Sequence, residues 1–291
     1  MATRYPHKLR PSFTNNLIKL LQNNTSINLI APFGYGRKRL LEDLKNSRLL
    51  KHKIVLVDMK DYITNYDGLM QMFCQQLKLR CKKTIEFEAL ITQLEKKANP
   101  IIFLLYNFDE LLNNSQRDIK FNVNFFNQLT KITRQSQMLL VCVTSQPYDN
   151  STIFVENHRH RLDLKLSKKR LPKLTRDEIT VELRSRHVSL AEEEGYQVIR
   201  TIQNHAQCYS LLKFFVLKLK KREDKELDIS SRIDKWCKQF TLEKDIITAK
   251  KTTFGKWFLK RTTEIMTKGQ NILIFFSDSF KFVGDWFLKK M

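Results

Sequence analysis

Four short apolar runs alternate with segments of helical periodicity through residues 1–168, and this alternation constrains the fold more than any other feature. The runs are SINLIA, KIVLVDM, PIIFLLYNF and QMLLVCVTS. Unbroken apolar strands suit the interior of a parallel sheet that is covered on both faces. Strands that alternate with helices indicate crossover connections, so the sequence predicts an α/β sandwich with a parallel sheet.

Beyond residue 168 the strand-like runs stop and helical patterns replace them. Two capping-box patterns, in which a Ser or Thr precedes a Glu by three positions, mark helix starts at Thr175 with Glu178 and at Ser189 with Glu192. We therefore expect three segments: an α/β domain over 1–168, a small helical domain over 169–222 and a basic amphipathic helical tail over 223–291.

The chain is strongly basic, with 52 Lys and Arg against 30 Asp and Glu and a formal net charge of +22. A positive field of this size favours polyanionic partners, which are nucleic acid, an anionic membrane surface or an acidic protein. The excess is spread along the whole chain, so solvation of the surface is an equally good explanation of the charge.

The five cysteines are widely spaced and never form a C-x-x-C pair, which predicts reduced thiols and no zinc site. No stretch has the length of apolar residues that a membrane-spanning helix requires. The first twelve residues lack the apolar core of a signal peptide. These features predict a cytoplasmic protein, with peripheral attachment to a membrane left open.

A glycine-containing loop, APFGYGRKRL, follows the first apolar run and precedes a helical segment. Backbone N–H groups in such a loop, together with a helix N-terminus, form a nest for anions. The candidate nucleotide-binding residues of this loop are Phe33, Gly34, Tyr35, Gly36, Arg37, Lys38 and Arg39.

Taken together, these segments resemble the STAND and Orc/Cdc6-like branch of P-loop AAA+ ATPases over roughly residues 10–222. The resemblance is carried by INLIAPFGYGRKRLLEDL, IVLVDMKDY, the Walker-B-like IIFLLYNFDELL, the sensor-like LLVCVTSQP and the lid-like LPKLTRDEI with NHAQCYSLLKFF. It implies a P-loop NTPase-type sheet, a helical lid, binding of ATP or ADP, and assembly with other subunits or an effector.

The loop departs from the family pattern at three positions, the first of which is Ala31 in place of a glycine. Arg37 takes the place of the lysine that neutralises phosphates, and Lys38 takes the place of the hydroxyl that holds Mg²⁺. An ammonium group cannot coordinate a cation, so the loop loses a metal ligand. Arginine also requires more room than lysine, because its guanidinium is a planar fork.

The third apolar run also departs from the family pattern, and it too loses a magnesium-binding residue type. The resemblance puts Tyr106 where the magnesium-directing Asp belongs, Asn107 where the water-activating Glu belongs, and Asp109 and Glu110 at a second, structural acidic pair. Asn107 can orient water but cannot accept its proton. A strand three residues longer would instead make Asp109 and Glu110 the active pair.

Two further polar residues, Thr144 and Ser145, end the fourth run at the position of a family sensor. They are also explained as ordinary strand-end hydroxyls. His158 and His160 in ENHRHR could be half of a metal site, but no second cluster supports one, and a solvated basic turn is the preferred interpretation. We expect no metal site and no catalytic residue.

The tail carries an apolar stripe with lysines largely elsewhere: Phe254, Phe258, Ile265, Ile272, Phe276, Phe280, Val283 and Phe287. A basic amphipathic helix of this kind lies on an anionic membrane, docks on a partner or folds back on the core.

The sequence therefore favours a pseudo-ATPase: a regulatory or scaffolding subunit that holds ATP or ADP, with Mg²⁺ weakly bound or absent, in a bacterial defence or signalling system. Two alternatives stay open. One is a DNA-binding protein of the initiator or transposition-regulator type, and the other is a membrane-surface protein that acts through its tail.

Overall fold

The computed structural model describes residues 7–47, 49–80, 84–96, 100–113, 116–134, 137–146, 153–155, 158–160, 164–221, 224 and 226–243. The chain divides into two compact units, one reaching to Asp224 and one beginning at Lys225. The apolar stripe predicted for the tail, from Phe254 onward, lies outside the described residues.

Seven strands are described in the first unit. In chain order they are β1 (Ile27–Ile30), β2 (Lys53–Asp58), β3 (Ile101–Tyr106), β4 (Met138–Thr144), β5 (Ile153–Val155), β6 (His158–His160) and β7 (Ser167–Arg170). Five of them form one sheet in the order β2-β3-β4-β1-β7, and every pair in it is parallel. β5 and β6 form a separate antiparallel pair.

Nine α-helices are described in the first unit. They are α1 (Pro11–Gln22), α2 (Arg37–Lys45), α3 (Tyr66–Leu77), α4 (Phe87–Glu95), α5 (Phe108–Asn113), α6 (Val123–Ile132), α7 (Arg176–Ser185), α8 (Glu192–Asn204) and α9 (Cys208–Lys221). α1 and α2 share one core cluster with the sheet, while α3, α4 and α6 share the other. The predicted α/β sandwich with a parallel sheet is confirmed.

Strand β3 shows why its sequence is apolar without interruption. Ile101, Phe103 and Leu105 pack into the cluster with α3, α4 and α6, while Ile102 and Leu104 pack into the cluster with α1 and α2. Successive side chains of a strand point to opposite faces, so a strand covered on both sides must be apolar at every position. Each such buried side chain contributes about 1.5–3 kcal/mol.

The sequence did not predict the last strand of the sheet, although strands do stop near residue 168 in the described part of the chain. Ser167–Arg170 form β7, which pairs with β1 in parallel register at the edge of the sheet. Its side chains alternate between half-buried and exposed, so an edge strand of this kind tolerates the basic sequence SKKR.

The segment with His158 and His160 is also different from the predicted basic turn. These residues lie in β6, which pairs with β5. Among the described residues, no group of three or more His, Cys, Asp or Glu side chains could hold a metal ion.

Of the two predicted capping boxes, one is confirmed and the other is wrong. The Thr175 side chain accepts from the Glu178 N–H, and the Glu178 carboxylate accepts from the Thr175 N–H, so the first is confirmed. The second is wrong, because α8 begins at Glu192 with Ala191 as its N-cap and no side-chain cap.

The prediction that all the thiols are reduced is wrong for Cys74, which is disulfide-bonded. Cys142, Cys208 and Cys237 are free. No helix within the described ranges combines the length and the apolar character needed to cross a bilayer.

In the second unit, residues 229–243 are helical. Ile233, Trp236 and Phe240 are buried. Their spacing of three and four residues places them on one side of the helix.

Candidate functional site

The loop over residues 31–36 leaves the carboxyl end of β1 and leads directly into α2. The strands run parallel, so the ends of β1, β3 and β4 meet at this edge of the sheet. Gly34 and Gly36 have φ values of 82° and 87°, a left-handed conformation that glycine adopts without a steric penalty. Gly36 is the N-cap of α2 and supplies no side-chain cap, which leaves the helix N-terminus available to an anion.

Arg37 is buried beside the loop, with 4% of its surface exposed. Its Nε donates to the Tyr106 hydroxyl at 2.8 Å. Its guanidinium carbon lies 3.9 Å from the ring centre of Phe33 and 4.7 Å from that of Tyr106. The Nη1 atom has no hydrogen-bond partner within the described residues. A buried donor of this kind is costly unless a ligand or water completes it.

Tyr106 occupies the end of β3, where the resemblance places a magnesium-directing carboxylate. Burial raises the pKa of its phenol, although the charge and the hydrogen bond of Arg37 oppose the shift. The phenol is therefore neutral at physiological pH. A neutral phenol that accepts from Arg37 does not fit the role of a carboxylate ligand for Mg²⁺.

Asn107 follows β3 with a φ of 54° and donates from its side-chain amide to Asp58 Oδ1 at 2.6 Å. The strand ends at Tyr106 and α5 begins at Phe108. The alternative of a longer strand, with Asp109 and Glu110 as its terminal acidic pair, is therefore wrong.

Asp109 and Glu110 instead lie in the first turn of α5. The Asp109 carboxylate accepts from the backbone N–H of Ser145 at 2.9 Å and also from its hydroxyl. Thr144 is fully buried, and its hydroxyl lies 3.4 Å from Asn28 Oδ1. These contacts join the first turn of α5 to the residue that follows β4, and the end of β4 to β1.

Lys38 and Arg39, the last two candidate nucleotide-binding residues of the loop, differ in their surroundings. Lys38 is exposed. Arg39 is buried and donates to Asp43 at 2.9 Å, to Glu182 at 3.5 Å and to the His7 carbonyl. We predicted Arg39 to be a nucleotide-binding residue, but its guanidinium is engaged in ion pairs that join α2 to α7.

The structure adds Arg10, which the sequence analysis did not identify. Arg10 is 1% exposed and donates from Nη2 to the Tyr35 carbonyl at 2.8 Å, while Nε and Nη1 find no partner in the described part of the chain. Burial lowers the pKa of its guanidinium, against the opposing influence of Cys208 and Glu178. Nothing in its sequence context distinguishes it from a surface arginine before a helix.

The helical lid formed by α7, α8 and α9 also contacts the loop. The backbone N–H groups of Tyr209 and Ser210 both donate to the Gly34 carbonyl at 3.0 Å. A Cβ at Gly34 would come within 2.7 Å of Gln207 Cγ, and one at Gly36 within 2.8 Å of the Tyr209 ring. The glycines are therefore required for the approach of the lid as well as for the turn.

These features fit the phosphates of a nucleotide and do not fit magnesium. The loop offers a helix N-terminus, and the buried guanidinium groups of Arg37 and Arg10 beside it have N–H donors without partners among the described residues, which suit phosphate oxygens. The nearby carboxylates, Asp58 and Asp109, bind Asn107 and Ser145.

No protein-family model matches the chain, and no curated protein matches it either. Solved structures do resemble it. The ORC2 protein of Aeropyrum pernix, solved as ADPNP–ADP complexes, is 12% identical with a TM-score of 0.54, over 76% of this chain and 64% of that one.

Two other structures match with lower TM-scores. They are the Aeropyrum pernix ORC1 protein in complex with DNA (16% identity, TM-score 0.47, 78% of this chain and 63% of that one) and Cdc6p from Pyrobaculum aerophilum (16% identity, TM-score 0.48, 76% and 64%). The matched region is thus less than two thirds of the length of each of the three proteins. The ORC2 likeness shows that this chain shares the α/β fold of that protein.

Proposed function

We propose that the chain is a nucleotide-binding regulatory module that holds ATP or ADP without hydrolysing it and transmits occupancy of the loop to the lid. The observation that carries this proposal is the double role of one short loop. Residues 33–37 lead into the N-terminus of α2, which has no side-chain cap and suits an anion, and the carbonyl of Gly34 in the same loop accepts hydrogen bonds from two N–H groups of α9. A phosphate that fixes the loop would also fix the lid.

Buried positive charge supports a phosphate ligand at this loop. Arg37 and Arg10 are each almost fully buried and each has at least one N–H group that lacks a partner among the described residues. Burying a charged group without full hydrogen bonding costs free energy, and a phosphate oxygen would recover it. The ORC2 protein of similar fold was solved as ADPNP–ADP complexes, which agrees with a nucleotide ligand for this chain.

The same residues argue against hydrolysis. Phosphoryl transfer requires positioned metal ions, a positioned nucleophile and stabilisation of developing charge. Lys38 and Tyr106 provide no metal ligand, and Asn107 provides no base because a carboxamide does not accept a proton near neutral pH. We therefore propose a switch or scaffold rather than an enzyme, acting on a protein partner as STAND-type regulators do in bacterial defence and signalling.

Calorimetric titration with ATP, combined with a phosphate-release assay, tests the proposal. We expect saturable ATP binding and no phosphate release above the buffer rate. Arg37→Met should weaken ATP binding about tenfold or more, because hydrogen bonds to charged groups contribute about 1.5–3 kcal/mol each.

Arg176→Met is the matched control, since Arg176 is exposed in the lid and stacks 5.6 Å from the Tyr196 ring. This variant should bind ATP as the wild type does. If ATP does not bind, the proposed function is wrong. If magnesium-dependent phosphate release appears and Arg37→Met abolishes it, the chain is an enzyme.

A further inference from the structure

The buried cation of Arg37 has a defined position as well as a charge. The resemblance places Mg²⁺ between the loop hydroxyl and the acidic residue that ends the third strand. In this chain the end of that strand carries Tyr106, and the Arg37 guanidinium lies against it, with Nε 2.8 Å from the hydroxyl. The organic cation therefore reaches into the region that a metal ion would use.

Three contacts hold the guanidinium there. Phe33 covers one side at 3.9 Å although 58% of its own surface is exposed, and the Tyr106 ring lies 4.7 Å from the guanidinium carbon. The hydrogen bond to Tyr106 orients the fork. Stacking on aromatic rings and a hydrogen bond together fix the plane of a guanidinium, which a lysine could not reproduce.

One nitrogen of the Arg37 guanidinium can still donate a hydrogen bond to a ligand. Nη1 of Arg37 is buried and finds no partner among the residues that the structure describes. Lys38, the neighbouring residue, adds a second positive charge on the exposed side of α2. A divalent cation brought to this place would meet two positive charges and a neutral phenol, whereas a phosphate oxygen would meet a charged donor.

We propose that Arg37, held by Phe33 and Tyr106, replaces the metal ion, so that this site binds the metal-free form of a nucleoside polyphosphate and Mg²⁺ opposes binding. This inference rests on the proposed function and specifies its ligand. The effect of Mg²⁺ on nucleotide binding would then be the reverse of the usual one, in which Mg²⁺ bridges the phosphates and the protein.

The test is the affinity for ATP, measured by calorimetry in buffer with a chelator and in buffer with excess MgCl₂. We expect ATP to bind at least about tenfold more weakly in excess Mg²⁺, because like charges within a few ångströms in a partly buried site repel strongly. Tyr106→Phe keeps the ring and removes only the hydroxyl that orients the guanidinium, and it should reduce the preference for metal-free ATP.

A variant with Arg37→Lys, Lys38→Thr and Tyr106→Asp restores the metal-binding residue types, and it should bind ATP more tightly with Mg²⁺ than without. Equal or tighter binding of ATP in Mg²⁺ by the wild type overturns the inference and leaves the proposed function intact. An absence of ATP binding in both buffers overturns the proposed function and this inference with it. The wild-type titrations decide the matter even if the triple variant does not fold.

Discussion

Glu182→Gln should destabilise the first unit by about 3 kcal/mol, the usual loss when one partner of a buried ion pair is removed. Glu182 and Arg39 each have 1% of their side-chain surface exposed. The Glu182 carboxylate also lies 2.7 Å from Arg186 and 3.1 Å from His7. Glutamine preserves the shape of the side chain but leaves the charge of Arg39 with Asp43 as its remaining acidic partner in this cluster.

Urea unfolding, followed by circular dichroism, measures this effect. Asp67→Asn is the control, because the Lys120–Asp67 pair has a similar distance of 2.8 Å but exposed fractions of 36% and 41%. An exposed pair contributes about 0–1 kcal/mol, so the control should lose little stability. Equal losses in the two variants would show that Glu182 does not fasten the lid to α2.

Gly34→Ala should cost about 3 kcal/mol, from two separate causes. A non-glycine residue at a φ of 82° costs about 1–2 kcal/mol. The added Cβ would also lie against the Gln207 side chain and 2.9 Å from its Cα, and overpacking of this kind costs about 1–3 kcal/mol. Thermal or urea unfolding of the variant gives the total.

Gly195→Ala is the matched control, because Gly195 lies in α8 and its added Cβ would meet nothing nearer than Leu190 Cβ at 3.8 Å. This change should stabilise the chain by about 0.5–1 kcal/mol. Adding Gln207→Gly to Gly34→Ala should recover part of the loss. If Gly34→Ala is as stable as Gly195→Ala, the lid does not pack on the loop as described.

The layered fold was predictable because its three inner strands, β3, β4 and β1, are covered on both faces and are therefore largely apolar. β7 was not predictable on the same basis. It lies at the edge of the sheet, where SKKR exposes alternate side chains, so its sequence carries no apolar signal. Backbone pairing with β1 makes it a strand, and that pairing depends on residues far away in the chain.

The backbone conformation of the loop was predictable from the sequence, whereas the positions of the side chains around it were not. Gly34 and Gly36 indicate a tight loop because few other residues adopt left-handed φ values. The positions of Arg37 between two aromatic rings, and of Gln207 over the loop, follow only from tertiary contacts. Arg39 is the clearest example of a contact that the sequence could not predict. Its position in the motif suggested that it binds a ligand, but in the folded chain its buried guanidinium pairs with Asp43 and Glu182.

Amide hydrogen exchange at Tyr209 and Ser210 measures directly whether nucleotide binding and lid position are coupled. Both N–H groups bond to the Gly34 carbonyl, so their exchange reports separation of the lid from the loop. With metal-free ATP at about 100 times its Kd, we expect their exchange to slow about 100-fold, because separation would release the ligand. Amides of α4, on the opposite face of the sheet, should change far less. Unchanged exchange at Tyr209 and Ser210, while calorimetry shows ATP bound, would contradict the account.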